Sequence, residues 1–161
     1  MKILVISDTH GSYETLLDSI IYEEFDMVIH LGDYVEDGES ICEYLSLPSL
    51  IVAGNGDFAS IYKDEELLEA KGKRILLTHG HLYNVRRGID SLYYRAMEEK
   101  ADLVLFGHTH IAVNHFENGI IFMNPGSPSF PRNNFYYENK DKPSYGIVTI
   151  SHDIKPEIIE I

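Results

Sequence analysis

Five short apolar runs organise the first two thirds of the chain, at residues 3–6, 27–31, 50–53, 75–77 and 103–106. Each is rich in Ile, Val and Leu, and each is followed closely by Asp, Asn or His, the pattern of a buried strand ending in a loop. Between the first two runs the period lengthens. Leu16, Leu17, Ile20 and Ile21 recur at helical spacing behind Ser12, which predicts a helix capped by Ser12. A second helix is expected over 39–47, stopped by Pro48, and a third over 89–100. Further on, the pattern turns to hairpins. Runs 67–70 and 74–77 flank Lys71-Gly72-Lys73, 112–116 and 120–123 flank Glu117-Asn118-Gly119, and 145–150 and 156–161 flank His152-Asp153. Strand–helix alternation followed by hairpins predicts an α/β chain of two packed mixed β-sheets flanked by helices. The length of 161 residues suits one domain over 1–161.

The polar groups that close the runs are the chemically informative residues. They read Asp8-Thr9-His10, Gly32-Asp33, Gly54-Asn55-Gly56-Asp57, His79-Gly80-His81 and Phe106-Gly107-His108-Thr109-His110. Open α/β folds place their ligands at the carboxyl ends of the strands, so these loops are expected to meet in one site. Carboxylate, amide oxygen and imidazole without thiolate suit divalent ions such as Mn, Fe or Zn. Asp8, His10, Asp33, Asn55, His79, His108 and His110 are too many for a single four-coordinate ion with an open position. Two ions sharing a carboxylate account for the number, and such pairs clamp the attacking and leaving oxygens of an in-line displacement.

The ordered set Asp-x-His, Gly-Asp, Gly-Asn-x-Asp, strand-end His and Gly-His-x-His resembles the calcineurin-like metallophosphoesterase superfamily. The short chain and Asn124-Pro125-Gly126-Ser127 resemble its small bacterial and archaeal phosphodiesterase branch. The resemblance implies a four-layer αββα sandwich. It implies that Asp8, His10 and His110 hold one metal, that Asn55, His79 and His108 hold the second, and that Asp33 bridges them. It also implies a catalytic part for Asp33, Asn55 and His108, with Asp57 orienting its neighbours. Two divalent ions follow as cofactors, Mn²⁺ being expected and Ni²⁺, Fe²⁺ or Zn²⁺ being alternatives. A hydroxide bridging them would attack phosphorus. Many relatives carry His between the Asn and Asp of the third motif; here that position is Gly56. The implied activity is phosphodiester hydrolysis. The alternatives are a phosphomonoesterase or cyclic-nucleotide hydrolase of the same fold, or a protein-binding scaffold like the retromer subunit that shares it.

Other polar residues carry blander readings. His30 lies inside an apolar run and is expected in the core; His81 is expected to line the pocket beside His79, a direct metal bond being the alternative. His115 and His152 fall away from the motifs and are expected to be structural or exposed. Arg132 either contacts a substrate phosphate or is a surface arginine. The polar stretch 133–142 is expected to be a surface loop bordering the pocket.

Charge narrows the partners. A formal net charge of −13 argues against duplex nucleic acid, whose binding relies on basic surface. Two divalent ions would reverse the sign locally, so small phosphate esters remain suitable substrates. Cys42 stands alone, which excludes an intramolecular disulfide and fits a reducing cytoplasm. The chain starts directly in a strand, with no leader-like or membrane-spanning run expected. Eleven tyrosines exceed the needs of packing and leave a homo-oligomer open.

Overall fold

A computed structural model describes residues 1–132 and 142–161. Strands β1 (Lys2–Ile6), β2 (Met27–His30) and β3 (Ser49–Ile51) run parallel side by side. The C-terminal hairpin of β9 (Ser144–Ile150) and β10 (Ile154–Glu160) adds antiparallel to β1, giving the order β10-β9-β1-β2-β3. The second sheet has the order β4-β5-β6-β8-β7. In it β5 (Lys73–Thr78), β6 (Leu103–Leu105) and β8 (Ile120–Pro125) are parallel, with β4 (Glu65–Ala70) and β7 (Ala112–Glu117) antiparallel at the edges.

Side-chain alternation explains why the central strands of each sheet are buried on both faces. Ile3 and Val5 point between the sheets, where they meet Ile75, Leu77, Leu103 and Leu105. Leu4 and Ile6 point the other way, onto Leu16 of α1 (Glu14–Ser19) and Ile41 of α2 (Val35–Leu45). On the second sheet Leu76 and Val104 face Leu92 and Ala96 of α3 (Asp90–Glu99). Helix, sheet, sheet and helix thus form four layers. A one-residue slip of β1 would exchange its two apolar sets between unlike environments, so the register is strongly specified. Each such side chain contributes about 1.5–3 kcal/mol on burial.

The hairpins close as expected, with β5 and β7 reaching one residue and β10 two residues further into the turns. Lys71 and Gly72, and Asn118 and Gly119, all take positive φ, the requirement of a two-residue turn that follows strand twist. The helices depart more. Ser12 is not a cap: α1 begins at Glu14 behind Tyr13, and the Ser12 hydroxyl reaches the Glu14 carboxylate instead. Because α1 stops at Ser19, Ile21 falls beyond it and is 64% exposed. Helix α2 begins at Val35, four residues before the expected 39, because its first N–H groups are taken up by a carboxylate from a distant loop. The stretch 133–141, read as loop, lies outside the described residues. Among the described residues, no helix is long and apolar enough to cross a membrane.

Candidate metal centre

The parallel strands of both sheets end at one edge of the sandwich, and their loops carry the polar motifs there. Asp8 and His10 follow β1, Asp33 follows β2, His79 follows β5, and His108 and His110 follow β6. Asp8, His10, Asp33, His108 and His110 all have positive φ, an uncommon state for non-glycine residues. Such strain collects at functional sites and persists only where surrounding contacts over-determine it. Two close approaches show the constraint. A Cβ on Gly107 would fall 1.9 Å from Ser7 Oγ, and one on Gly54 would fall 2.2 Å from Asp33 Oδ1.

Two imidazole pairs converge on two carboxylates. His10 Nε2 and His110 Nε2 are 3.4 Å apart; His79 Nε2 and His108 Nδ1 are 3.2 Å apart. Asp33 lies between the pairs, with Oδ2 4.0 Å from His10 Nε2 and Oδ1 3.5 Å from His79 Nε2. Asp8 turns Oδ2 to the Ser7 hydroxyl at 2.6 Å and the His108 N–H at 3.0 Å. Its Oδ1 is buried without a hydrogen-bond partner, 3.1 Å from His110 Nε2 and 3.9 Å from His79 Nε2.

This donor set fits divalent cations. Ring nitrogens bound at about 2.0–2.1 Å in a tetrahedron are about 3.3 Å apart, the spacing seen in both pairs. Nδ1–H of His79 donates to the Leu31 carbonyl at 2.8 Å, and Nδ1–H of His110 donates to the Phe130 carbonyl at 2.6 Å. Each therefore keeps Nε2 as a lone pair facing the centre, the arrangement that orients metal-ligating histidines. The orphaned Asp8 oxygen completes the test, because an unpaired buried carboxylate oxygen is costly without a cation. One group of donors comprises Asp8, His10 and His110, and another Asp8, Asp33 and His79.

The electrostatics agree. Burial alone would raise the Asp8 carboxyl, but the His110 and His79 imidazoles outweigh it and hold its pKa below the ordinary value. Burial would likewise lower His110, and the Asp8 carboxylate raises it instead. His108 is pushed down to about 4 by burial, by His79 and by the Arg86 guanidinium, so its ring is neutral at pH 7. His30, fully buried, is also lowered to about 4 by desolvation and stays in the core, bonded to Thr9 and the Gly32 N–H.

The remaining predicted residues are placed differently. Asn55 is exposed on the loop before Asp57, and its side chain makes no hydrogen bond among the described residues. The Asp57 carboxylate accepts four N–H groups, from Asp33, Tyr34, Val35 and Gly54, at 2.7–3.0 Å. It caps α2 and joins the Asp33 loop to the Asn55 loop. His81 stands outside the converging pairs, its ring centroid 5.4 Å from that of His79. Arg132 is exposed and shares a cavity with Arg86 and Thr109. Arg86 was not signalled by any motif: its guanidinium donates to the His108 carbonyl at 3.1 Å. Asn124 and Ser127 brace the centre, through Asn124 Nδ2 to the Gly107 carbonyl at 2.8 Å and the Ser127 hydroxyl to the Asp8 carbonyl at 2.7 Å.

Carboxylates and imidazoles gathered where two stacked mixed sheets end define a candidate centre of the metallophosphoesterase kind. The chain belongs to the calcineurin-like phosphoesterase superfamily, whose domain model matches residues 1–153. It is 40% identical over 156 residues to the probable metallophosphoesterase YsnB of Bacillus subtilis, covering 95% of this chain and 86% of that one. It is 28% identical over 158 residues to the phosphodiesterase YfcE of Escherichia coli K12, covering 82% of each. The crystal structure of a predicted phosphoesterase from Streptococcus pneumoniae TIGR4 superposes with a TM-score of 0.80 at 31% identity, over 99% of this chain and 88% of that one.

Proposed function

We propose that the chain is a dinuclear metal-dependent phosphodiesterase acting on small phosphate diesters. The observation that carries this is the pair of imidazole pairs, 3.4 Å and 3.2 Å wide, on either side of the Asp33 carboxylate. Asp8, His10 and His110 would hold one ion, and His79, His108 and Asn55 the other. Asp33 is the bridge in this reading, since its two oxygens face opposite pairs, whereas Asp8 Oδ2 is occupied by Ser7 and His108. When bound, such ions supply a nucleophile at neutral pH and neutralise charge on phosphoryl oxygens. Mn²⁺ is the expected metal, because four imidazoles disfavour a hard, oxygen-seeking ion.

The chain's own residues do the rest. Neutral His108, with Nδ1 turned to the centre, keeps its proton on Nε2 and can donate it as a hydrogen bond to a non-bridging phosphoryl oxygen. Arg86 and Arg132 put positive charge beside the loop of His108 and His110 and favour an anionic ester over the repulsion of a −13 chain. The same net charge disfavours duplex nucleic acid as substrate. The scaffold reading is weakened because Asp8, His10, Asp33, His79, His108 and His110 stand together at one edge. The test is a screen of mono-, di- and cyclic phosphate esters with Mn²⁺, Zn²⁺, Ni²⁺ or Mg²⁺ added. Diesters should turn over fastest. Faster monoester or cyclic-nucleotide turnover would move the assignment to those classes, and no turnover with any ion would remove it.

A further inference from the structure

Beside the Asp33 carboxylate the surface opens into a cavity of 380 Å³, lined by Tyr34, Glu36, Gly56, Phe58 and Ala59 among others. Gly56 connects it to the centre: its N–H donates to Asp33 Oδ1 at 2.8 Å, and a Cβ there would sit 3.2 Å from the same oxygen. Glycine therefore leaves open the space between the Asp33 carboxylate and the cavity, which a side chain would narrow.

Two exposed aromatic residues stand in the cavity wall. Phe58 is 91% exposed and Tyr34 45%. Neither ring sits on loose chain. Tyr34 holds φ 75°, an outlier for a bulky residue, with its N–H fixed by Asp57 at 2.7 Å. Phe58 directly follows Asp57, whose carboxylate takes four N–H groups, and Tyr62 further along the loop donates to Glu39 of α2 at 2.7 Å. The Tyr34 ring also meets His10 edge-on at 5.1 Å between centroids, so wall and cluster are continuous. One ring packed against the cluster and another left in water on a braced loop are explained by a ligand that covers them.

We propose that this cavity binds the organic group of the phosphate ester, and that the group it takes is a flat, uncharged aromatic or heteroaromatic ring. The inference rests on the phosphoesterase reading above. Ring chemistry follows from Tyr34 and Phe58, which offer faces and edges for stacking. Absence of charge follows from Glu36 and Asp57, two acidic residues that line the cavity and disfavour a second anionic group. Discrimination is therefore between aryl or nucleoside-like esters on one side, and alkyl or further-phosphorylated esters on the other.

Phosphonates test this without turnover, since their carbon–phosphorus bond is not hydrolysed. Binding of phenylphosphonate, methylphosphonate and 4-carboxyphenylphosphonate to the Mn²⁺-loaded chain is measured by calorimetry. Phenylphosphonate should bind about 10-fold tighter than methylphosphonate, the effect of covering one ring. Phe58→Ala, which removes an exposed side chain and spares the fold, should reduce that ratio to about 2 and leave methylphosphonate unchanged. Glu36→Gln should strengthen only the carboxyphenyl compound, by about 3–10-fold. A wild-type ratio near one, failure of phenylphosphonate to bind, or equal weakening of both ligands in Phe58→Ala would overturn the assignment. Hydrolysis of p-nitrophenyl phenyl phosphate is scored separately. Its absence beside an intact phenyl preference would sink the enzymatic reading and leave the pocket standing.

Discussion

Asp8 and His108, a hundred residues apart, are joined by a hydrogen bond of 3.0 Å from the His108 N–H to Asp8 Oδ2. This bond decides which way the carboxylate faces. With Ser7 it consumes one oxygen and leaves the other, unpartnered, among the imidazoles.

That polarity makes Asp8→Asn informative. The amide oxygen will stay on the two donors, turning NH₂ toward the imidazoles, where it cannot bind a cation. Metal affinity should fall by about 100-fold or more, since even supporting partners of a metal ligand are worth 10–100-fold. The metal-free variant should also melt lower than the metal-free wild type, because the fold holds the Asp8 carboxyl below its ordinary pKa and so is stabilised by the ionised form that the amide cannot take. Metal content by mass spectrometry and a thermal melt check both; wild-type occupancy would refute the ligand assignment.

Chelation should abolish phosphoesterase activity, and Mn²⁺ or another transition ion should restore it better than Mg²⁺. Full recovery with Mg²⁺ alone would show that the imidazoles are not the ligands.

Asp57→Asn should cost stability rather than chemistry. The carboxylate serves four N–H groups, and an amide offers a single oxygen, so at least one donor is left unpaired. A loss of about 2–4 kcal/mol is expected by urea denaturation. A change below about 0.5 kcal/mol, the usual size for an uninvolved surface position, would show that the loops are held by other contacts.

A pH effect should come from the Glu65, Tyr83 and Arg95 cluster, away from the centre. Burial tends to raise Glu65, but Arg95, whose guanidinium contacts it at 2.6 Å, and the Tyr83 hydroxyl hold it below the ordinary carboxyl value of 4.5. A depressed folded pKa gives stability that is present above 4.5 and lost as pH falls through the folded value. Tyr83 is pushed up to about 12 by burial and by Glu65, so its contribution is present below pH 10 and lost on rising through 12. Glu65→Gln should therefore be less stable than wild type by about 1 kcal/mol near pH 7, with the gap closing below pH 4. Parallel acid titrations with a constant gap would disprove the link.

Gly56→His should help poor leaving groups more than good ones. The φ of Gly56 is not positive, so a side chain is allowed, although Asp33 Oδ1 must yield a few tenths of an ångström to a Cβ at 3.2 Å. General acid help is typically worth 10²–10⁴-fold. A plot of log rate against leaving-group pKa should be steep for wild type and flatter for the variant. A wild-type slope already flat would mean that another group supplies the proton.

The strand ends were legible because short buried runs followed by Asp or His are written in consecutive residues. Asp8, Asp33, His79 and His108 were therefore expected at one edge, where the structure brings them together. Contacts between distant segments were not legible. The start of α2 depends on Asp57, more than twenty residues later, and no local cap marks it. Arg86 reaches a main-chain carbonyl, and nothing in its neighbours signals that. Ser12 illustrates the opposite error, a good capping residue left unused because the chain turns one residue later.

The hydrogen bond from His79 Nδ1 to the Leu31 carbonyl crosses from one sheet to the other. The centre is therefore built on a seam, with Asp8 and Asp33 contributed by one half of the sandwich and His79 and His108 by the other. Any opening that parts the halves dismantles it. Cation binding and closure of the seam are then a single equilibrium, and ions at 100 times their dissociation constant would make such openings about a hundredfold rarer. Amide exchange at the ends of β1, β2, β5 and β6 should slow on loading, while the β9–β10 hairpin keeps its own rate. The ions would act as a clasp between two halves that the core alone holds less firmly.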